Sequence, residues 1–141
     1  MRTLLVSTSV VPLGGTKYGG IEGLVSTFAK GLVQAGESVT VAAPVGSKVP
    51  DGVVLMETVK LPEQQDEDWL TEGIIRQEDF DFIHDFSHRH VLRESDKAIH
   101  MMWDNITVNY SFKAKQNIIT LSQWQQDRFQ AMYNQKSVIM P

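Results

Sequence analysis

Residues 4–44 constrain the fold of this chain most, because four different patterns follow one another there without a break. Leu4, Leu5 and Val6 read as a buried strand that stops at Ser7-Thr8-Ser9. A glycine-rich loop over residues 12–20 carries two Gly-Gly pairs, Gly14-Gly15 and Gly19-Gly20. Ile21, Leu24, Val25, Phe28, Ala29, Leu32 and Val33 then recur at the 3.6-residue period of an amphipathic helix. Gly36 supplies the left-handed stop that helices commonly use, and Val39, Val41 and Ala43 resume strand alternation. A strand–loop–helix–strand unit of this length predicts two parallel neighbouring strands joined by a right-handed crossover. In sheets of this kind ligands bind beyond the carboxyl ends of the strands, where the glycine loop lies.

Glycine pairs let a backbone approach a ligand closely and present N–H groups and a helix N-terminus to an anion. The loop has neither the G-x-G-x-x-G spacing of dinucleotide folds nor the G-x-x-x-x-G-K-[ST] of a P-loop, so a plain surface loop stays open as the alternative.

Downstream the alternation continues. Residues 53–59 read as a strand and 60–65 as a loop; Asp66-Glu67-Asp68 open a helix carrying Trp69, Leu70, Ile74 and Ile75. Residues 80–84 read as a short strand followed by a polar loop over 85–90, and residues 98–103 as another strand ending before Asp104-Asn105. Residues 118–121 form the next strand. Ser122 and Gln125 then make a capping box for a helix with Phe129, Met132 and Tyr133, and residues 138–141 begin one more strand. Six or seven strands with interspersed helices predict a single α/β domain over residues 1–141: a doubly wound, mostly parallel Rossmann-like sheet with helices on both faces.

Charge and composition exclude several functions. With 13 Lys and Arg against 17 Asp and Glu, the net charge of −4 and the lack of any basic block leave no electrostatic footprint for nucleic acid. No apolar stretch approaches the ~20 residues that span a bilayer, and the chain enters a strand without a signal peptide. The absence of cysteine rules out disulfide and thiolate chemistry and fits a cytoplasmic protein. Asp79-Phe80-Asp81 has the look of a metal-binding D-x-D, but at the start of a strand it reads as a solvated turn. His84, Asp85, His88 and His90 have the residue types of a zinc site. Trp69 and Trp124 read as core or interdomain packing, and Trp103 as either core or a sugar-stacking platform.

A family resemblance runs through these elements in order. The segments Pro12-Leu13-Gly14-Gly15, Tyr18-Gly19-Gly20-Ile21-Glu22 and Gly36-Glu37-Ser38-Val39-Thr40-Val41 resemble the opening of family-4 retaining glycosyltransferases of the GT-B fold. The similarity continues through Asp81-Phe82-Ile83-His84-Asp85, Ile119-Thr120-Leu121-Ser122-Gln123-Trp124 and Val138-Ile139-Met140-Pro141. It implies the acceptor-side N-terminal half of a hexosyltransferase that uses a nucleotide sugar, without a metal or other cofactor. The C-terminal nucleotide-sugar-binding domain is expected in cis or in trans, and this half alone is expected to be inactive. The resemblance puts Gly14, Gly15, Thr16, Tyr18, Gly19 and Gly20 near the donor diphosphate. Two positions depart from the family: Phe86 and Trp103 stand where many members have histidine.

Parallel strand order then predicts an acceptor floor of His84, Asp85, Phe86, His88, Trp103 and Asp104. Phe86 and Trp103 are expected to offer apolar faces to a sugar or lipid-linked acceptor, with hydrogen bonds from Asp85, His88 and Asp104. Ser122 is a helix cap with ligand contact as a second role. A non-catalytic sugar- or phosphate-binding module, or one subunit of a two-chain glycosyltransferase, are the alternative readings. Membrane association is not indicated by the charge pattern.

Overall fold

The computed structural model describes residues 1–15, 19–58, 75–88, 95–101, 117–134 and 136–140. In chain order the elements are β1 (Arg2–Val6), α1 (Gly20–Gln34), β2 (Ser38–Pro44), β3 (Val54–Thr58), β4 (Phe82–Asp85), β5 (Ala98–Met101), β6 (Asn117–Thr120), α2 (Gln123–Tyr133) and β7 (Val138–Ile139). A 3₁₀ turn at Gln77–Asp79 precedes β4. The strands form one seven-stranded sheet of order β3-β2-β1-β4-β5-β6-β7, parallel at every pairing. The chain therefore has the doubly wound, Rossmann-like α/β fold that its patterning predicts. The order reverses at β1, which lies between β2 and β4, and such a switch point opens a crevice at the strands' carboxyl ends.

The crossover through α1 steps from β1 to β2, whereas the one through α2 steps the opposite way, from β6 to β7. Right-handed connection of both puts the two helices on opposite faces of the sheet. Alternation along the strands supplies each face with its own apolar set. Leu5, Val41, Phe86 and Met101 pack on the α1 side with Val25 and Ala29. Leu4, Val6, Ala42, Ile83 and Ala98 pack on the other side with Ile75 and Phe80. Each fully buried Leu, Ile or Phe contributes ~1.5–3 kcal/mol relative to exposure, so the two layers carry most of the driving force.

α1 ends as its sequence predicts. Gly36 takes φ 88°, its N–H bonds to the Val33 carbonyl at 3.0 Å, and the Glu37 N–H reaches back to the Leu32 carbonyl at 3.0 Å. A side chain at this φ is strained, which is why glycine stands there. At the head of α2, Ser122 Oγ accepts from the Gln125 N–H at 3.2 Å. The Gln125 side chain returns to the N–H of Leu121 at 2.7 Å, one residue before the cap, so the box closes on a slightly longer loop than the standard one.

Two expectations change. β4 extends through Asp85, where the polarity of residues 85–90 predicts a loop. The strand tolerates a buried aspartate because both carboxylate oxygens are hydrogen-bonded, as set out below. Of the two roles expected of Trp124, core or interdomain packing, core is removed: it is 54% exposed, with the Arg128 guanidinium carbon 5.4 Å from its ring centroid. Five helical positions rotate Trp124 about 140° from Phe129, which is fully buried, so both cannot face the sheet. The helix expected after Asp66, including Trp69, lies outside the described residues. No described helix is long and apolar enough to cross a membrane.

Candidate functional site

Two strands at the switch point, β1 and β4, run out into polar residues that their neighbours bury. After β1, Ser7, Thr8 and Ser9 are buried, and the Ser7 N–H continues the ladder to the Ala42 carbonyl at 2.9 Å. After β4, the Phe86 N–H bonds to the Val6 carbonyl at 2.8 Å, which ties the β4 loop to the β1 loop. In register, Val6 lies beside Asp85 and Asp85 beside His100. The carboxyl edge of β1, β4 and β5 thus gathers hydroxyls, carboxylates and imidazoles from segments distant in sequence.

The first part of the glycine loop is anchored. Leu13 is fully buried, its N–H donates to Ser47 Oγ at 3.0 Å, and its carbonyl accepts from the Lys48 N–H at 2.9 Å. Ser47 Oγ in turn donates to the Pro44 carbonyl at 2.6 Å. Gly14 takes φ 66°, and a Cβ there would lie 3.0 Å from the Lys48 carbonyl oxygen, so two independent constraints require glycine. Gly15 is exposed, and a Cβ there would make only an ordinary 3.5 Å contact. Thr16 and Tyr18 lie outside the described residues.

Where the loop re-enters α1, Gly19 occupies the cap position in extended conformation and has no side chain to cap the helix. Glu22, in the first turn, is 7% exposed and accepts a hydrogen bond from the Thr8 hydroxyl. Its carboxylate folds back over the helix start: a Cβ at Gly19 would overlap Glu22 Oε2 and sit 2.9 Å from the carboxyl carbon. Glu22 and Thr8 are absent from the sequence-based candidates. The sole signal for them was Glu22 directly after Gly19-Gly20-Ile21, three residues beyond the cap.

The candidate acceptor floor divides between the two faces of the sheet. Asp85 and His100 are both fully buried; Asp85 Oδ2 lies 3.2 Å from His100 Nδ1, and Oδ1 accepts from the Ser87 N–H at 2.9 Å and the Ser87 hydroxyl at 2.6 Å. With both its oxygens engaged, Asp85 fixes the turn after β4 and the orientation of the imidazole. His84 points to the other face. Its ring stacks on Phe86 at 3.9 Å and meets Phe28 of α1 edge-on at 5.6 Å. Burial pushes the His84 pKa down to about 4, with the nearby Asp85 charge opposing this and the neighbouring His100 adding to it, so the ring is neutral at neutral pH.

Phe86 is fully buried, so the expectation that it offers an open face to a sugar does not match its position: Phe28 and His84 cover it. His84 and Asp85 face opposite sides and do not form one donor set, and among the described residues no three His, Asp or Glu side chains are placed to hold a metal ion. His88 is half-buried just beyond Ser87, and Ser122 is exposed at the head of α2. Trp103, Asp104 and His90 lie outside the described residues. Asp81 belongs to the opposite edge of the sheet, where its carboxylate takes the Arg2 N–H and guanidinium, each at 2.8 Å; Arg2 holds its pKa at about 2. This is the solvated turn that the sequence predicts for Asp79-Phe80-Asp81.

One further cavity is not foreshadowed in the sequence. A hollow of about 270 Å³ lies beside α1, walled by Leu32, Phe82, His84, Ile99, Met101 and other apolar side chains. It exposes only apolar atoms and so lacks the hydrogen-bond partners a sugar needs.

Compared with known protein families and with proteins of curated function, the chain matches no family model and no curated protein.

Proposed function

We propose that this chain is the acceptor-binding half of a retaining glycosyltransferase, working with a second domain that holds the nucleotide sugar. The observation that carries this reading is the convergence at the sheet's switch point: an anchored glycine loop, the buried Thr8–Glu22 pair and the Asp85–Ser87–His100 network surround one carboxyl edge. The ordered resemblance of six sequence segments to family-4 enzymes supports it independently. In this reading Ser87, His88 and Ser122 border the acceptor, and the glycine loop faces the cleft shared with the donor. Asp85 and His100 act from beneath, holding the loops in place. The chemistry required of this half is positioning of an acceptor hydroxyl and exclusion of water, with no covalent nucleophile. Diphosphate departure is assisted by donors aimed at the developing charge, most of them in the other domain.

The test is turnover. The chain alone, incubated with a panel of nucleotide sugars and acceptors, should release no nucleotide above background. Supplied with a matching nucleotide-sugar-binding domain, it should transfer sugar with the anomeric configuration retained. Robust turnover by the isolated chain would overturn its reading as half an enzyme.

A further inference from the structure

The apolar hollow of about 270 Å³ beside α1 plays no part in the proposed transfer reaction. Phe28 and Leu32, one helical turn apart, form its α1 wall, and His84, Ile99, Met101 and Ile119 form its floor on the adjacent strands β4, β5 and β6. Neighbouring strands lie ~4.8 Å apart and alternate side chains ~7 Å, so this floor measures ~10 Å across the strands and ~7 Å along them. Parallel sheets are ordinarily buried on both faces, yet Phe28, Leu32, Ile99 and Ile119 are only half-buried. Every atom that the hollow exposes is apolar, so His84 contributes carbon and not nitrogen to its surface. Among the described residues no Asp, Glu, Lys or Arg lines it.

From this enclosure we infer that the hollow is a binding site for an aliphatic hydrocarbon chain. The lining sets the chemical class: a polar group brought there loses its hydrogen bonds to water and gains none. The volume sets the length. An apolar cavity of about 150 Å³ holds one benzene molecule, so the hollow has room for about ten carbons. A helix laid on a floor ~7 Å long would touch it over little more than one turn of about 5.4 Å, a poor seat for a protein segment and an adequate one for a chain. Met101, unbranched and polarizable, lets the floor follow the outline of such a chain. The chain belongs either to a free lipid or to the tail of an amphiphile.

The experiment titrates the wild-type protein with linear alcohols from butanol to dodecanol and follows the methyl resonances of Leu32, Ile99, Met101 and Ile119. Saturable shifts are expected there, with affinity rising about fourfold for each added methylene and levelling off near about ten carbons. Ile99→Phe, which pushes a ring into the hollow, should weaken octanol binding at least ~10-fold. Octyl glucoside separates the two sources. Shifts at the hollow together with Ser87 and His88 make the chain the tail of a sugar acceptor; shifts at the hollow without them, or octanol binding alone, assign it to a separate lipid. The absence of saturable shifts at the four residues with both hexanol and octanol overturns the inference. So do affinities that keep rising well beyond about ten carbons, or equal shifts at exposed Val54 and Trp124, which mark adsorption to apolar surface. Unchanged octanol affinity in folded Ile99→Phe overturns it as well, and the wild-type series decides the matter if that variant does not fold. Octanol carries no sugar, so these outcomes leave the transferase reading to its own test.

Discussion

Acidification from pH 7 to pH 4.5 should destabilise this protein through His84. The ring is 5% exposed, stacked on Phe86 and edge-on to Phe28, and its pKa is held down at about 4 against an ordinary value of 6.5. In the unfolded chain the imidazole regains its ordinary affinity, so between pH 6.5 and 4 the unfolded state binds the proton that the folded state refuses. Stability from this residue is full above pH 6.5, declines as the pH falls through that window, and levels off near pH 4. From about 6.5 down to about 4, at about 1.4 kcal/mol per pH unit, the full effect comes to about 3.5 kcal/mol, most of it lost by pH 4.5. Against the ~5–15 kcal/mol that stabilises a typical domain, that is a large share. Urea unfolding of wild type and His84→Phe at pH 7 and 4.5 measures it. The variant keeps an aromatic ring against Phe28 and Phe86 and cannot titrate, so the wild type should lose about 2–3 kcal/mol more than the variant over that interval. Any packing strain introduced by phenylalanine shifts both of the variant's values together and cancels. The lowered carboxylates of Asp81 and Glu78 titrate alike in both proteins and cancel in the comparison. Equal pH dependence in the two proteins, or a His84 resonance titrating near 6.5, would refute the argument.

The remaining expectations also separate neighbours. Gly14→Ala should lower stability by ~1–3 kcal/mol because of its positive φ and the Lys48 backbone, whereas Gly15→Ala should be nearly neutral, both measured by thermal melting. Phe86→Ala should cost ~3–5 kcal/mol as a core truncation, while Trp124→Ala on the exposed face of α2 should stay within ~0.5 kcal/mol. Asp85→Ala, which takes away the acceptor of the Ser87 N–H and hydroxyl and the carboxylate beside His100 Nδ1, should cost ~1–3 kcal/mol, against ~1 kcal/mol for removal of the Ser122 cap in Ser122→Ala.

What the sequence discloses and what it hides follow from the range of the interactions. The β1–α1–β2 unit is legible because a 3.6-residue stripe from Ile21 to Val33 sits between two apolar strands, and because Gly36 stops the helix through its own backbone geometry. The all-parallel order follows from such crossovers. The end of β4 is hidden because a polar residue signals a loop unless its partner is known, and the partner of Asp85 is His100 on the next strand. Phe86 appears free for a ligand in the sequence because its cover comes from Phe28, on a helix 58 positions earlier. Thr8 and Glu22 are silent for the same reason: their contact exists only once the glycine loop has brought the helix start back onto the end of β1. Local periodicity thus fixes elements and their order, while the site depends on which carboxyl-end residues meet across them.

Mapping where an acceptor binds tests the central claim most directly. Titrating the labelled chain with a panel of simple glycosides and lipid-linked sugar analogues, and following its amide resonances, locates the site without requiring turnover. The acceptor-half reading predicts that at least one of these compounds shifts Gly19, Gly20, Ser87, His88 and Ser122 at the carboxyl edge, and leaves Arg2 and Asp81 at the opposite edge unmoved. Shifts confined to the Arg2–Asp81 edge, or none at the carboxyl edge with any glycoside while a free nucleotide binds there tightly, would contradict it.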